Sequence, residues 1–308
     1  MSGVLVGFGI IGFVILVGFL VGRFDIAGPN AQYVMNRLAF FVATPALLFT
    51  VLASADLHVV FSAFLLGATL SVVVTASLYV LASRLLFRRA VAETTVGAAA
   101  SCYVNANNIG LPVAIYVLGD PQYVAPVLLL QLLVLAPITL TTLDTATRGT
   151  ASIRGFLTQP LRNPMIIASL LGVVVALTGV PLSDAFFAPF ELIGGAAIPL
   201  VLMAFGMSLH GKRPLEAGSG RKDVLTAVAL KSIVMPAVAY TFAHGVFHLD
   251  AEQVFAATVL AALPTAQNIY NFASRYERGM VIARDAVLLS TVASVPVLLV
   301  IAALLAPR

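Results

Sequence analysis

Charge is scarce in this chain: only 10% of its 308 residues are Asp, Glu, Lys or Arg. A soluble domain carries roughly 25%. So little charge leaves too little polar surface to keep a soluble fold dispersed. Cysteine is nearly absent too. Cys102 stands alone, which excludes an intramolecular disulfide and a thiolate metal site and reads as a small packed residue in a helix. The acids number 13, and none falls at the midpoint of an expected helix. No HExxH and no GxSxG occurs, so the usual signatures of an intramembrane zinc or serine hydrolase are missing and no enzyme is expected. The histidines, His58, His210, His244 and His248, sit near helix ends. His244 and His248 have the i,i+4 spacing of a metal pair, but no third ligand is evident, so neither a metal site nor a cofactor is expected.

What is present is apolar length. The chain is 60% hydrophobic, in blocks of about 20 residues or more, enough to cross a roughly 30 Å hydrocarbon core. Val4 to Val21 and Val59 to Ser83 carry no charge, and Leu161 to Val180 carries only Arg162 at its edge. Lipid cannot satisfy an open strand edge, so the expected fold is an all-α integral membrane bundle. The net charge of +4 does not point to nucleic acid, because the basic residues form short clusters between apolar blocks. The first block lacks a basic n-region and an A-x-A cleavage site, and reads as an uncleaved first helix.

Ten transmembrane helices are expected: roughly Gly3 to Gly22, Gln32 to Ala53, Val59 to Phe87, Glu93 to Gly119, Pro121 to Thr145, Asn163 to Thr178, Asp184 to Leu209, Asp223 to Phe247, Ala251 to Arg275 and Met280 to Ala306. A polar cytoplasmic linker spans 146–162. The segments after helices 1, 3, 5, 7 and 9, with their flanking turns, hold 15 of the 17 basic residues; Lys231 and Arg308 are the others. Under the positive-inside rule this places the protein in the cytoplasmic (inner) membrane with both termini on the outer, periplasmic side.

Ten helices split into two inverted five-helix repeats, 1–145 and 163–308, the arrangement of many secondary transporters. Thr44-Pro45-Ala46-Leu47-Leu48 resembles Ile198-Pro199-Leu200-Val201-Leu202, Ala92-Glu93 resembles Ala251-Glu252, and Asn107-Asn108-Ile109-Gly110 answers Gln267-Asn268-Ile269-Tyr270. The separations of 154, 159 and 160 residues fit one duplication with small indels. Helix 4 places Asn105, Asn107, Asn108, Gly110 and Pro112 near its middle. Helix 9 does the same with Pro264, Thr265, Gln267, Asn268 and Asn271. Proline removes a donor and clashes with the preceding turn, and asparagine competes for helix backbone groups. Polar groups at membrane depth mark a pathway or a site. Two broken helices that cross near the midplane are therefore expected. They would offer carboxamides and free backbone groups to a solute, and half-helix N-termini that favour an anion.

At these residues the chain resembles the auxin efflux carrier family, which includes plant auxin carriers and bacterial malonate-type permeases. The resemblance covers nearly the whole chain and is clearest at Phe41-Val42-Ala43-Thr44-Pro45-Ala46-Leu47-Leu48-Phe49, at Asn105 through Pro112, and from Ala261-Ala262-Leu263-Pro264 to Tyr276. It implies a scaffold of helices 1, 2, 6 and 7 and a mobile transport unit of helices 3–5 and 8–10. It also implies elevator-type alternating access and a homodimer through the scaffold helices, where Gly18-x-x-x-Gly22 would serve close packing. Asn105 matches the plant carriers' substrate-contacting asparagine, Pro112 and Pro264 match prolines flanking the crossing, and Gln131 matches a helix-5 glutamine beside it. Gln267 and Asn268 depart from the plant pattern, where small or apolar residues stand. That makes the site more polar and favours a small, polar carboxylate over auxin.

Lys231 is the exceptional charge, about two turns into helix 8. It is expected to snorkel to the inner surface, to pair with Asp144 or Asp285, or to supply positive charge to an anionic solute. The expected function is thus a secondary carrier for a small organic anion, with coupling to H+ or Na+ open. A sodium-coupled symporter of the bile-acid type is the alternative, and a non-transporting membrane receptor a further one.

Overall fold

The computed structural model of the chain describes residues 2–55, 63–148, 163–180, 182–209, 215 and 220–307. The expected linker falls outside the described residues from position 149 onward, as do His58, His210, Lys212 and Arg213. The fold is helical throughout: α1 (Ser2–Arg23), α2 (Ala31–Ala53), α3 (Ala63–Phe87), α4 (Val91–Cys102), α5 (Ala106–Leu118), α6 (Pro121–Thr147), α7 (Pro164–Thr178), α8 (Asp184–Ser208), α9 (Arg221–Val246), α10 (Ala251–Ala262), α11 (Gln267–Tyr276) and α12 (Met280–Leu305). Among the described residues there is no strand, only an isolated bridge between Val104 and Thr265. Among the described residues, six helices (α2, α3, α6, α8, α9 and α12) are long and apolar enough to cross a membrane. Their exposed faces carry large apolar side chains, such as Leu85, Leu192, Val292 and Leu304, as a lipid-facing surface requires.

Starts and stops follow local chemistry. Asn163, Ser183 and Asp250 accept hydrogen bonds from Met165 N, Phe186 N and Gln253 N at the heads of α7, α8 and α10, each capping an orphan donor. Gly119, at φ +79°, ends α5 in the left-handed turn that glycine adopts without strain.

Prolines reshape the long helices in a regular way. Of seven π-helical turns among the described residues, four, Ala39–Ala43, Ala106–Gly110, Gln131–Leu135 and Leu230–Val234, each end two residues before a proline: Pro45, Pro112, Pro137 and Pro236. A helical proline clashes with the carbonyl four residues earlier. Here those carbonyls belong to Phe41, Asn108, Leu133 and Ser232, the central residue of each π turn. Widening the helix by one residue relieves the clash. Pro189 and Pro296 sit inside α8 and α12 without such a turn. α8 also breaks step at Ala196, after Gly194 and Gly195.

The described chain divides into two compact units. One takes its residues from Met1–Ser62, Asn107–Leu129 and Thr158–Lys212; the other takes them from Ala63–Ala106, Leu130–Leu157 and Arg213–Arg308. Each draws on both halves of the sequence. In the first unit α1 lies against the later part of α8 at backbone contact: a Cβ on Gly18 would fall 2.3 Å from Met203 O. α7 approaches α2 as closely at Gly172, where a Cβ would fall 2.8 Å from Phe49 O. The Phe49 ring packs on Phe186, Phe187 and Phe190 of α8.

The second unit has a core of small and aromatic residues, among them Tyr79, Val96, Ala99, Tyr103, Leu140, Ala273 and Ala283. Gly97 makes room for the Tyr79 ring, which a Cβ would meet at 2.1 Å. At one end of this unit Arg89 donates two hydrogen bonds to Asp223, at 2.9 and 2.8 Å. Asp223 is 2% exposed and Arg89 42%. The asymmetry predicts unequal mutant costs. Arg89→Ala leaves a buried carboxylate without its partner and lowers stability by about 1–3 kcal/mol. Asp223→Ala leaves a guanidinium that water can reach, and costs less. Thermal melts of the two variants in detergent check the order; a reversed order overturns this account.

Candidate functional site

The second unit contains the interruptions that the asparagine and proline clusters predict. α4 stops at Cys102, and Tyr103 turns extended, at φ −86° and ψ 104°. α10 stops at Ala262, and Leu263 adopts ψ 149°, the extended conformation that a following proline imposes. The two extended segments then pair. Asn105 N donates to Pro264 O at 2.8 Å, and Ala266 N donates to Tyr103 O at 3.0 Å. This pairing closes the isolated antiparallel bridge of Val104 with Thr265. The chains cross while satisfying each other's freed backbone groups, as burial demands.

Side chains complete the crossing. Gln131 Nε2 donates to Val104 O at 2.8 Å. Thr265 Oγ1 donates to Ala100 O at 2.6 Å and so caps the end of α4. Thr265 N donates to Ser290 Oγ of α12 at 2.9 Å. Asn105, Gln131, Thr265 and Ser290 are all buried. Gln131 opens the π turn that Pro137 forces on α6, which sets it apart from the regular helix that precedes it. Tyr103 was not foreseen as a site residue, yet its hydroxyl joins two residues that were: it donates to Gln131 O at 3.4 Å and hydrogen-bonds the Asn268 side chain. Ser290 was likewise unforeseen. No local signal marks either residue, because their partners are distant in the chain.

The other expected residues divide by place. Gln267 and Asn268 are half-buried on the first turn of α11, whose head has no side-chain cap. Asn107 and Asn108 lie on the π turn opening α5, where Asn107 Nδ2 donates to Asn108 Oδ1 at 2.8 Å. Gly110 and Pro112 are buried just beyond, in the stretch that groups with the first unit. Lys231 does not pair with Asp144 or Asp285 as proposed from the sequence. Asp285 instead accepts from Leu215 N at 2.9 Å and from Arg284 Nε at 2.7 Å. Nor does Lys231 snorkel: it is 0% exposed, and its Nζ donates to Ala261 O at 2.6 Å.

The first unit holds a cavity of about 350 Å³ lined by Thr50, Ser54, Asp120, Gln122 and Glu191, among others. Two carboxylates suit it poorly to an anion, and Asp120 is already engaged by the Gln122 backbone and side-chain amides.

An apolar helical chain that buries carboxamides and irregular backbone at a crossing of two interrupted helices belongs among multi-pass membrane proteins with a polar site inside the bilayer. A family model described as "Membrane transport protein" matches residues 9–152 and 150–302. The chain belongs to that family, which is the family of the auxin efflux carriers that the motifs resemble. A relative from Rhizobium meliloti (strain 1021), named "Putative malonate transporter", is 25% identical over 288 residues, covering 91% of this chain and 89% of that protein.

Proposed function

We propose that the protein is a secondary carrier that moves a small organic anion, a carboxylate, across the cytoplasmic membrane by alternating access. The observation that carries this reading is the buried crossing of Tyr103–Ala106 with Leu263–Ala266, ringed by Asn105, Gln131, Thr265 and Asn268. Neutral hydrogen-bond donors on a held backbone can bind a carboxylate without a fixed counter-charge, and they release it more readily than an arginine would. The membership in a family of transport proteins and the relative named for malonate support the same direction. Gln267 and Asn268 add polarity at the head of α11 and favour a small, polar anion.

In this reading the ten expected spans form two inverted repeats with both termini outside. α4 with α5, and α10 with α11, are each one interrupted span. Helices 1, 2, 6 and 7 form a dimeric scaffold along which the remaining helices move. That each unit draws on both halves of the sequence supports the repeat, while residues 107–129, from expected helices 4 and 5, group with helices 1, 2, 6 and 7 rather than with the moving set.

The test is a thermal-shift panel of small mono- and dicarboxylates, malonate included, on purified protein, followed by flux in proteoliposomes with the best stabiliser. A saturable shift with one size class, and uptake of the same compound, are expected. No shift with any carboxylate and no flux would sink the reading.

A further inference from the structure

Lys231 is a fully buried amine that, among the described residues, hydrogen-bonds a backbone carbonyl alone. It lies on the π turn that Pro236 forces on α9, and it is 0% exposed. Nζ donates to Ala261 O at 2.6 Å and makes no ion pair among the described residues. An ammonium in such a place is costly unless something negative faces it. A helix end faces it and a second helix packs beside it. Ala261 is the penultimate residue of α10, and α4, which ends at Cys102, lies against the π turn that carries Lys231. Each C-terminus carries about half an elementary negative charge on its last carbonyls. Two such ends, brought together by the crossing, sum to about one, which a single ammonium cancels.

In carriers built around interrupted helices, unwound carbonyls and half-helix C-termini are where a coupling cation is held. We propose that the Lys231 ammonium occupies that place permanently, as a tethered cation that neutralises the ends of α4 and α10, so that the carrier moves its anion without sodium. The inference rests on the transport reading above, but can be tested partly apart from it.

The experiment compares wild type with Lys231→Met and Lys231→Ala in proteoliposomes, using the best carboxylate of the panel, in sodium, potassium or choline chloride. Wild-type rates agree within about twofold across the three salts. Lys231→Met, which keeps the length but not the charge, falls at least tenfold in every salt. Lys231→Ala falls as far in choline and recovers severalfold with propylammonium, the fragment it lost, or with sodium. A purely structural lysine would give no such rescue.

Wild-type flux that requires sodium overturns the proposal, as does full flux by a folded Lys231→Met, or a folded Lys231→Ala that neither cation rescues. Where the variants do not fold, the wild-type salt comparison decides alone. Where wild type itself moves no anion, the transport reading fails instead. The cation site is then read by melting: propylammonium or sodium stabilises Lys231→Ala and not wild type, and equal shifts in both proteins overturn it.

Discussion

Asn105→Ala weakens anion binding and uptake by about 10- to 100-fold while the backbone crossing of the empty protein stays closed. The two effects separate because Asn105 does two jobs with different atoms. Its backbone N–H bonds Pro264 O at 2.8 Å, and alanine keeps that bond. Its carboxamide, on a residue only 3% exposed, is what the proposed site offers to a carboxylate. A hydrogen bond to a charged group contributes roughly 1.5–3 kcal/mol, and each 1.4 kcal/mol is tenfold in affinity. Asn105→Asp goes further, since it sets a second carboxylate where the anion would bind. Asn268→Ala weakens binding as well, because it also removes the hydrogen bond to the Tyr103 hydroxyl. Gln131→Ala gives a contrasting result. It strips Val104 O of its partner, so stability falls along with uptake. Titrations of the carboxylate followed by melting and by flux separate these outcomes. Near-wild-type flux in both Asn105→Ala and Asn268→Ala defeats the site assignment.

The helices themselves were largely legible, because twenty apolar residues in a row leave the chain few alternatives in lipid. Asp184, Ala251 and Met280 open helices where expected. The interruptions were legible too, since an asparagine cluster or a Leu-Pro step cannot continue a helix without loss. Their consequence for length was not: once broken, α4, α5, α10 and α11 are each too short to span by themselves, and among the described residues six helices meet that measure. Pairings were the least legible part. Lys231 was recognisable as a buried charge, but periodicity says nothing about which of several distant groups meets it. The structure supplies a carbonyl 30 residues away where the sequence suggested an acid. Tyr103 and Ser290 were missed for the same reason, as each looks like an ordinary helix residue until the crossing brings its partner. The proline-linked π turns were readable in principle. A clash four residues upstream is a local rule, and it places Gln131, Asn107, Asn108 and Lys231 on widened turns.

Gly206→Ala produces the largest loss of stability expected from a single methyl group in this chain. A Cβ at Gly206 would lie 2.1 Å from Ile15 O and 2.7 Å from Phe19 N, both backbone atoms of α1. No side-chain rotation relieves such a clash, so the helices must part. Parting them also opens the contacts of Gly18 with Met203 and of Gly22 with Met207. Within lipid no hydrophobic force draws helices together, and their association rests on this close packing. Overpacking costs about 1–3 kcal/mol, occasionally more, which in a chain of this size lowers Tm by roughly 2–5 °C. Gly12→Ala, on the same α1, is the control. Nothing lies within 4 Å of its Cβ, and alanine is the better helix former by about 1 kcal/mol, so its melting temperature stays level or rises. Gly18 and Gly206 face each other, because Gly18 C would lie 3.0 Å from the added Gly206 methyl. Once Gly206→Ala has spread the helices, Gly18→Ala therefore costs less than it does alone. A double-mutant cycle measures that coupling. Strict additivity would mean that the two glycines act at separate contacts and that α1 and α8 do not share one seam.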